Sequence, residues 1–200
     1  MKTLIGRIFL VVIISASLSQ QGCGGPDLEN EKVGLSEENL EFIEIVSSTR
    51  EEYEKAENEL QKTQVRKKRM QSFESLWPIE HDDSFSNWKG EMVDMGTTSD
   101  QRAWLYIRPL GIDNVLIQTL SNALSDHGTG SLISTDSPIY DAVSTLSKGD
   151  IVYFSAMFTT PDGDKDYFED VSLTENGSMT EPGFVVKFKC VKKVADGPCE

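Results

Sequence analysis

Soft metal ligands are scarce in this chain, with two His and three Cys among 200 residues. That supply is too small for a zinc ribbon or an iron–sulfur cluster, and it offers no paired-histidine metal site. Positive charge is also short. Nineteen Lys and Arg stand against 33 Asp and Glu, a formal charge of −14, so a phosphate backbone is repelled and nucleic-acid binding is disfavoured. Long hydrophobic runs are missing too. The charge-free stretch from Ile8 to Leu18 makes about 16 Å of helix, against a hydrocarbon core of about 30 Å. It cannot comfortably span a bilayer. Catalytic signatures are absent: no G-x-S-x-G, H-E-x-x-H or P-loop occurs, and His81 in an acidic linker and His127 in a Gly-rich loop have no plausible nucleophile beside them. The expectation is a protein that is not an enzyme and uses no cofactor. What the chain does have is nine Phe, five Tyr and three Trp within 38% hydrophobic residues, enough for one core.

Residues 1–22 read as a signal peptide: Lys2 and Arg7 give a positive start, Ile8 to Ile14 an apolar run, and Ser15 to Ser19 a small-residue tail. Gly22-Cys23-Gly24-Gly25 resembles the end of a bacterial lipoprotein signal, in which the cysteine is acylated. That resemblance implies lipidation of Cys23 and anchorage to a lipid bilayer. Gln20 and Gln21 depart from the pattern, because the usual Leu lies about three residues before the cysteine and this chain has it at Leu18. Cleavage after Ser19, giving a soluble secreted or periplasmic protein, is the competing outcome. Either way the chain is expected outside the cytoplasm, in a bacterial cell envelope facing the periplasm or exterior. Residues 23–35, rich in Gly, Pro, Asp, Glu and Asn, form a tether.

Residues 36–77 are expected to be helical. Ser36 is the N-cap, Glu37 and Glu38 sit in the first turn, and no Gly or Pro interrupts the segment to Leu76. Phe42, Val46, Thr49, Tyr53, Ala56, Leu60 and Thr63 alternate spacings of four and three, which lines them on one stripe. Two Thr and an Ala dilute that stripe, so the helix should lean on the downstream domain, with coiled-coil pairing as the alternative. The run Arg66-Lys67-Lys68-Arg69 is read as complementing the helix dipole and pairing with upstream acids.

From Asn87 the pattern changes to strand-length runs: Trp88 to Met95, Arg102 to Arg108, Val115 to Leu120, Ile151 to Thr160, a short piece from Phe168 to Leu173, and Phe184 to Val194. Ser137-Pro138 opens a short helix through Leu146. Three strands, a helix and two strands is the order of the OB-fold. Trp88-Lys89-Gly90-Glu91-Met92-Val93 resembles its opening strand, where glycine permits a sharp bend, and Leu146-Ser147-Lys148-Gly149-Asp150-Ile151-Val152 resembles its helix-to-fourth-strand junction. The fold class expected is α+β: a long N-terminal helix and, over residues 87–194, a small five-stranded OB-like Greek-key barrel, followed by a tail at 195–200. Asn58 to Lys62 with Arg66 and Arg69, Asn122 to Asp126, Ser131-Leu132-Ile133, Phe154-Ser155 and Ser172 to Glu175 resemble a family of uncharacterised bacterial exported or membrane-anchored proteins. These carry a helix ahead of a β domain, and the resemblance implies no catalytic residue.

Alternation assigns faces. Val152, Phe154, Ala156 and Phe158 point inward, as do Ala103, Leu105 and Ile107. Phe184, Val186, Phe188 and Cys190 share an inner face. Trp104, Tyr106 and Arg108 fall on the outer face that OB domains commonly use for ligands, and they form the candidate binding face. Against that, the large side chains of the helix need a partner, and this face is expected to be where they pack. Cys190 and Cys199 could form a disulfide in an oxidising compartment, although an inward Cys190 argues against it. Asp162-Gly163-Asp164-Lys165-Asp166 with Glu169 and Asp170 is dense in carboxylates but lacks the Gly and Glu of an EF-hand loop, so a turn is expected and no metal site. The functional expectation is a non-catalytic envelope lipoprotein acting as a binding or interaction module for an envelope protein. Helix-mediated assembly or scaffolding, and nucleic-acid or glycan binding through the outer face of the second strand, are the alternatives.

Overall fold

The computed structural model describes residues 34–77, 83–160 and 168–199. In chain order these form α1 (Glu37–Lys55), α2 (Glu59–Leu76), β1 (Ser84–Thr97), β2 (Ala103–Pro109), β3 (Leu116–Gln118), α3 (Pro138–Ser144), β4 (Ile151–Phe158), α4 (Glu175–Thr180) and β5 (Gly183–Lys193). The strands close into a barrel in the order β1-β2-β3-β5-β4, with β3 and β5 parallel. This is the OB-like α+β architecture that the strand order implied, with α3 between the third and fourth strands as expected.

One helix was expected from Ser36 to Leu76, and two are found. Ser36 caps α1, its Oγ accepting from the Asn39 N–H at 3.2 Å. The chain then turns at Ala56 and restarts at Asn58. Asn58 Oδ1 accepts the N–H groups of Leu60 and Gln61, while Gln61 Oε1 accepts the Glu57 N–H at 2.7 Å. This two-way side-chain capping, a variant of the capping box in which Gln61 reaches the N–H one residue before the cap, gives the second helix its own start and lets it fold back on the first. The stripe therefore ends at Tyr53, which is buried, whereas Leu60 is 79% exposed.

The helix pair closes the barrel end at which β1 and β5 begin and β4 finishes. Phe42 lies at the centre, its ring 4.8 Å from Trp88, 5.6 Å from Phe184 and 5.7 Å from Phe73. Glu38 ties three elements together, accepting the indole N–H of Trp77 at 2.9 Å and that of Trp88 at 3.1 Å. Burying the two indoles is favourable only because their polar N–H groups keep a partner. At the opposite end α3 packs on β5, contributing Val143 to the core together with Leu146 from the following turn.

The basic run divides. Lys68 pairs with Glu52 upstream, as expected, and Arg66 with Glu175 of α4. Arg69 instead is buried between the helices and α4.

Two bulges shape β1, one against β4 between Phe85 and Trp88 and one against β2 between Met92 and Asp94. Between Phe85 and Trp88 the register with β4 shifts, and Asn87 takes a φ of 57°. Phe85 and Trp88, three apart, can then both face inward, their rings stacked 4.0 Å apart. Gly90 pairs with Pro109 on one side and Val152 on the other. A Cβ there would come within 2.5 Å of Ile107 Cγ2 and 2.7 Å of the Arg108 carbonyl oxygen. The glycine at the bend is thus demanded by close approach.

A third bulge overturns one face assignment. Ser155 pairs with Cys190 but Ala156 with Phe188, which leaves Lys189 as an extra residue in β5. Alternation reverses after it. Val191 points into the core at 1% exposure, and Cys190, expected inward, turns out. The expected strand at Phe168 to Leu173 is reduced to a single bridge, Asp170 to Phe184, and α4 follows it.

Candidate binding face

The outer face of β2 is built by strict alternation. Ala103, Leu105 and Ile107 are buried in the barrel, and Trp104, Tyr106 and Arg108 are half-buried on its outside. Trp104 lies opposite Gly96 of β1. A Cβ on Gly96 would sit 2.6 Å from Trp104 Cζ2, so the indole rests against bare backbone. An aromatic ring covering a strand glycine in this way compensates for the missing side chain and holds the ring in place. Tyr106 extends the platform, its ring 4.9 Å from that of Trp104 at 43°. Arg108 then pairs with Glu91, its cross-strand neighbour. The face thus presents two fixed aromatic rings ending in a neutralised ion pair, with the exposed Asp94 alongside. Such a surface can stack on a planar or sugar-like group, or accept a peptide.

The helices do not cover it. The α1 stripe that was expected on this face is spent on Phe73, Trp77, Trp88, Phe158 and Phe184 at the barrel end. The physical reason is that the open end of the barrel, ringed by aromatic side chains, buries more apolar surface than the flat outer face of one strand.

The start of β2 is held by a residue that was read only as part of a family resemblance. Asp126, with a side chain of zero exposure, accepts from Arg102 Nη1 at 2.8 Å just ahead of the strand. Its Oδ1 accepts the Ser131 N–H at 2.6 Å, the Ser131 hydroxyl at 2.8 Å and the Leu132 N–H at 3.2 Å. This carboxylate pins the long β3–α3 connection, and Ile133 in turn pairs with Ala103. An Asp followed within six residues by Ser in a Gly-rich loop is the local signal, but it does not say which donors converge.

Cys190 and Cys199 are joined in a disulfide, made reachable by the outward turn after the Lys189 bulge. Cys23 and the acidic stretch 162–166 lie outside the described residues. Of the acids that follow it, Glu169 accepts the hydroxyls of Thr159 at 2.9 Å and Thr129 at 3.3 Å, and Asp170 accepts the Ser172 N–H. Among the described residues no three His, Cys, Asp or Glu gather in a way that would hold a metal ion, and no helix is long and apolar enough to cross a membrane. Comparison with protein-family models, with curated proteins and with solved structures gave no match in any of the three.

Proposed function

We propose that the chain is an exported, non-catalytic binding module held at a bacterial envelope membrane through an acylated Cys23, and that its barrel meets an envelope partner through the outer face of β2. The observation that carries this reading is the placement of Trp104, Tyr106 and Arg108 on an outer face left free by the helices. The disulfide supports the location, since such bonds persist in oxidising compartments. With an overall charge of −14, a protein or uncharged glycan surface suits the face better than nucleic acid.

A photo-crosslinking residue placed at Tyr106 in cells, with a second probe at Leu60 on the exposed side of α2, tests it. Adducts from position 106 that disappear in a Trp104→Ala background are expected. Adducts from position 60 alone would favour assembly through the helices instead. Recovery of the chain in the cytosol with Met1 retained would overturn the envelope location.

A further inference from the structure

The cations of the barrel are sorted by side. Arg102 pairs with Asp100 and Asp126, Arg108 with Glu91, and Lys193 with Asp150. Among the described residues Lys89, Lys187, Lys189 and Lys192 meet no carboxylate at ion-pair distance, and these four stand on β1 and β5, the two strands that flank β4.

Strand pairing brings them onto one face. Lys89, Tyr153 and Lys192 form a row across three strands, and Ser84, Met157 and Lys187 form another. Tyr153 and Met157 are half-buried between the inward residues of β4, so both rows lie on the outside of the barrel. Lys89 Nζ sits 5.5 Å over the Tyr153 ring. Lys189, the extra residue of the β5 bulge, is exposed and donates to Ser84 Oγ at 2.7 Å. The acids nearby are few. Asp83 lines a hollow with Lys187, and the tail that is bonded to Cys190 carries Asp196, with Glu200 outside the described residues. In a chain of −14, this is a surface of the opposite sign.

The tether ends on the same face. A Cβ on Gly34 would lie 3.2 Å from Lys89 Nζ. Residues 23–33 reach about 35–40 Å when fully extended, so a lipid on Cys23 holds the barrel within that distance of a bilayer. The ring order β1-β2-β3-β5-β4 adds a third observation: β2 touches neither β4 nor β5, so Trp104 and Tyr106 lie across the barrel from this face.

We propose that the lysine face of β1, β4 and β5 docks on the anionic headgroups of the bilayer that carries the anchor, and so points the β2 face away from the membrane. The inference rests on the anchored reading above for its tether. Each lysine near an anionic surface favours contact by about fivefold, and a short flexible tether keeps the effective concentration in the millimolar range. The acids of the far side oppose this little, since exposed charges more than about 8 Å apart are largely screened at physiological salt. Tyr153 suits the boundary because its ring is apolar and its hydroxyl polar.

The test uses the full-length chain as bacterial cells process it, mixed with vesicles of phosphatidylcholine alone or with added phosphatidylglycerol. Sedimentation reports binding, and a water-soluble amine reagent read by mass spectrometry reports each lysine. On phosphatidylglycerol vesicles Lys89, Lys187, Lys189 and Lys192 are expected to react about threefold or more slowly, with Lys55 and Lys67 on the helices unchanged. The slowing should be absent on phosphatidylcholine and disappear at about 1 M salt, where the Debye length falls to about 3 Å. Lys189→Gln combined with Lys192→Gln should restore the reactivity of Lys89 and Lys187. Binding to both vesicles with no slowing at these lysines would overturn the proposal and leave the anchor standing. Slowing with binding to phosphatidylglycerol vesicles alone would support the face and overturn the anchor, and binding to neither would overturn both. Equal slowing by soluble polyglutamate would assign the face to an acidic protein and overturn the proposal.

Discussion

Replacing Asp126 by alanine removes the acceptor of three buried donors in one step. The Ser131 N–H, the Ser131 hydroxyl and the Leu132 N–H all end on its Oδ1, and Arg102 ends on its Oδ2. Arg102 is partly exposed and keeps Asp100 as a partner at 2.9 Å, so its share of the loss is small. The other three donors lie in residues at most 8% exposed. Stranding a buried donor costs about 1–3 kcal/mol, and partial entry of water lowers the sum, so the expected loss is about 3–5 kcal/mol. For a domain of this size that corresponds to a fall of roughly 6–20 °C in melting temperature. Asp126→Asn keeps one carbonyl oxygen for the Ser131 and Leu132 amides and should lose less than half as much. Circular dichroism melts of both variants, with hydrogen exchange at residues 131–133, measure this. An alanine variant within 2 °C of the parent, or an asparagine variant as damaged as the alanine one, would refute the idea that this carboxylate anchors the connection beside β2.

Further outcomes follow from the same structure. Tyr53→Asp, at a site 3% exposed, should destabilise by about 3 kcal/mol or more, whereas Leu60→Asp, at 79% exposure, should change stability by no more than about 0.5 kcal/mol; urea titration of the pair checks where the stripe ends. Gly90→Ala forces a Cβ against the Arg108 carbonyl at 2.7 Å and should cost about 1–3 kcal/mol, read from the same titration. Reducing the Cys190–Cys199 bond, which closes a loop with a sequence separation of 9, should lower stability by roughly 2.5 kcal/mol, seen as a lower melting temperature in reductant. Asp150 is held below its ordinary carboxylate value of 3.8 chiefly by the Lys193 ammonium and also by the Ser147 N–H. Its contribution is present above 3.8 and is lost as pH falls through the lower folded value, so the parent and Asp150→Asn should converge in melting temperature at the acid end of a pH series.

Much of the barrel was legible because it is written in alternation. In β2 and β4 the inward sets Ala103, Leu105, Ile107 and Val152, Phe154, Ala156, Phe158 are those that the period of two assigned. The same rule failed at Cys190, since a bulge is a property of two strands paired, and nothing in β5 alone marks Lys189 as the residue to be left over. The break between α1 and α2 was present locally, in Asn58 and Gln61. It was outweighed by a stripe that ran on in register to Leu60 and Thr63, whose burial depends on whether anything lies opposite.

By itself, then, the order of residues determined the local alphabet: Ser36 and Asn58 as caps, Ser137-Pro138 as a helix start, Gly90 as a bend, and the inward sides of β2 and β4. These are decided within a few residues by backbone sterics and by the spacing of apolar side chains. Tertiary structure alone decided that the helices stopper the barrel end and leave Trp104 and Tyr106 outside, that Arg69 is taken from a basic run into a buried wall, and that Cys190 turns toward Cys199. Each of those outcomes depends on which distant surface buries more apolar area or supplies more hydrogen-bond partners, and that competition exists only once the chain has closed on itself.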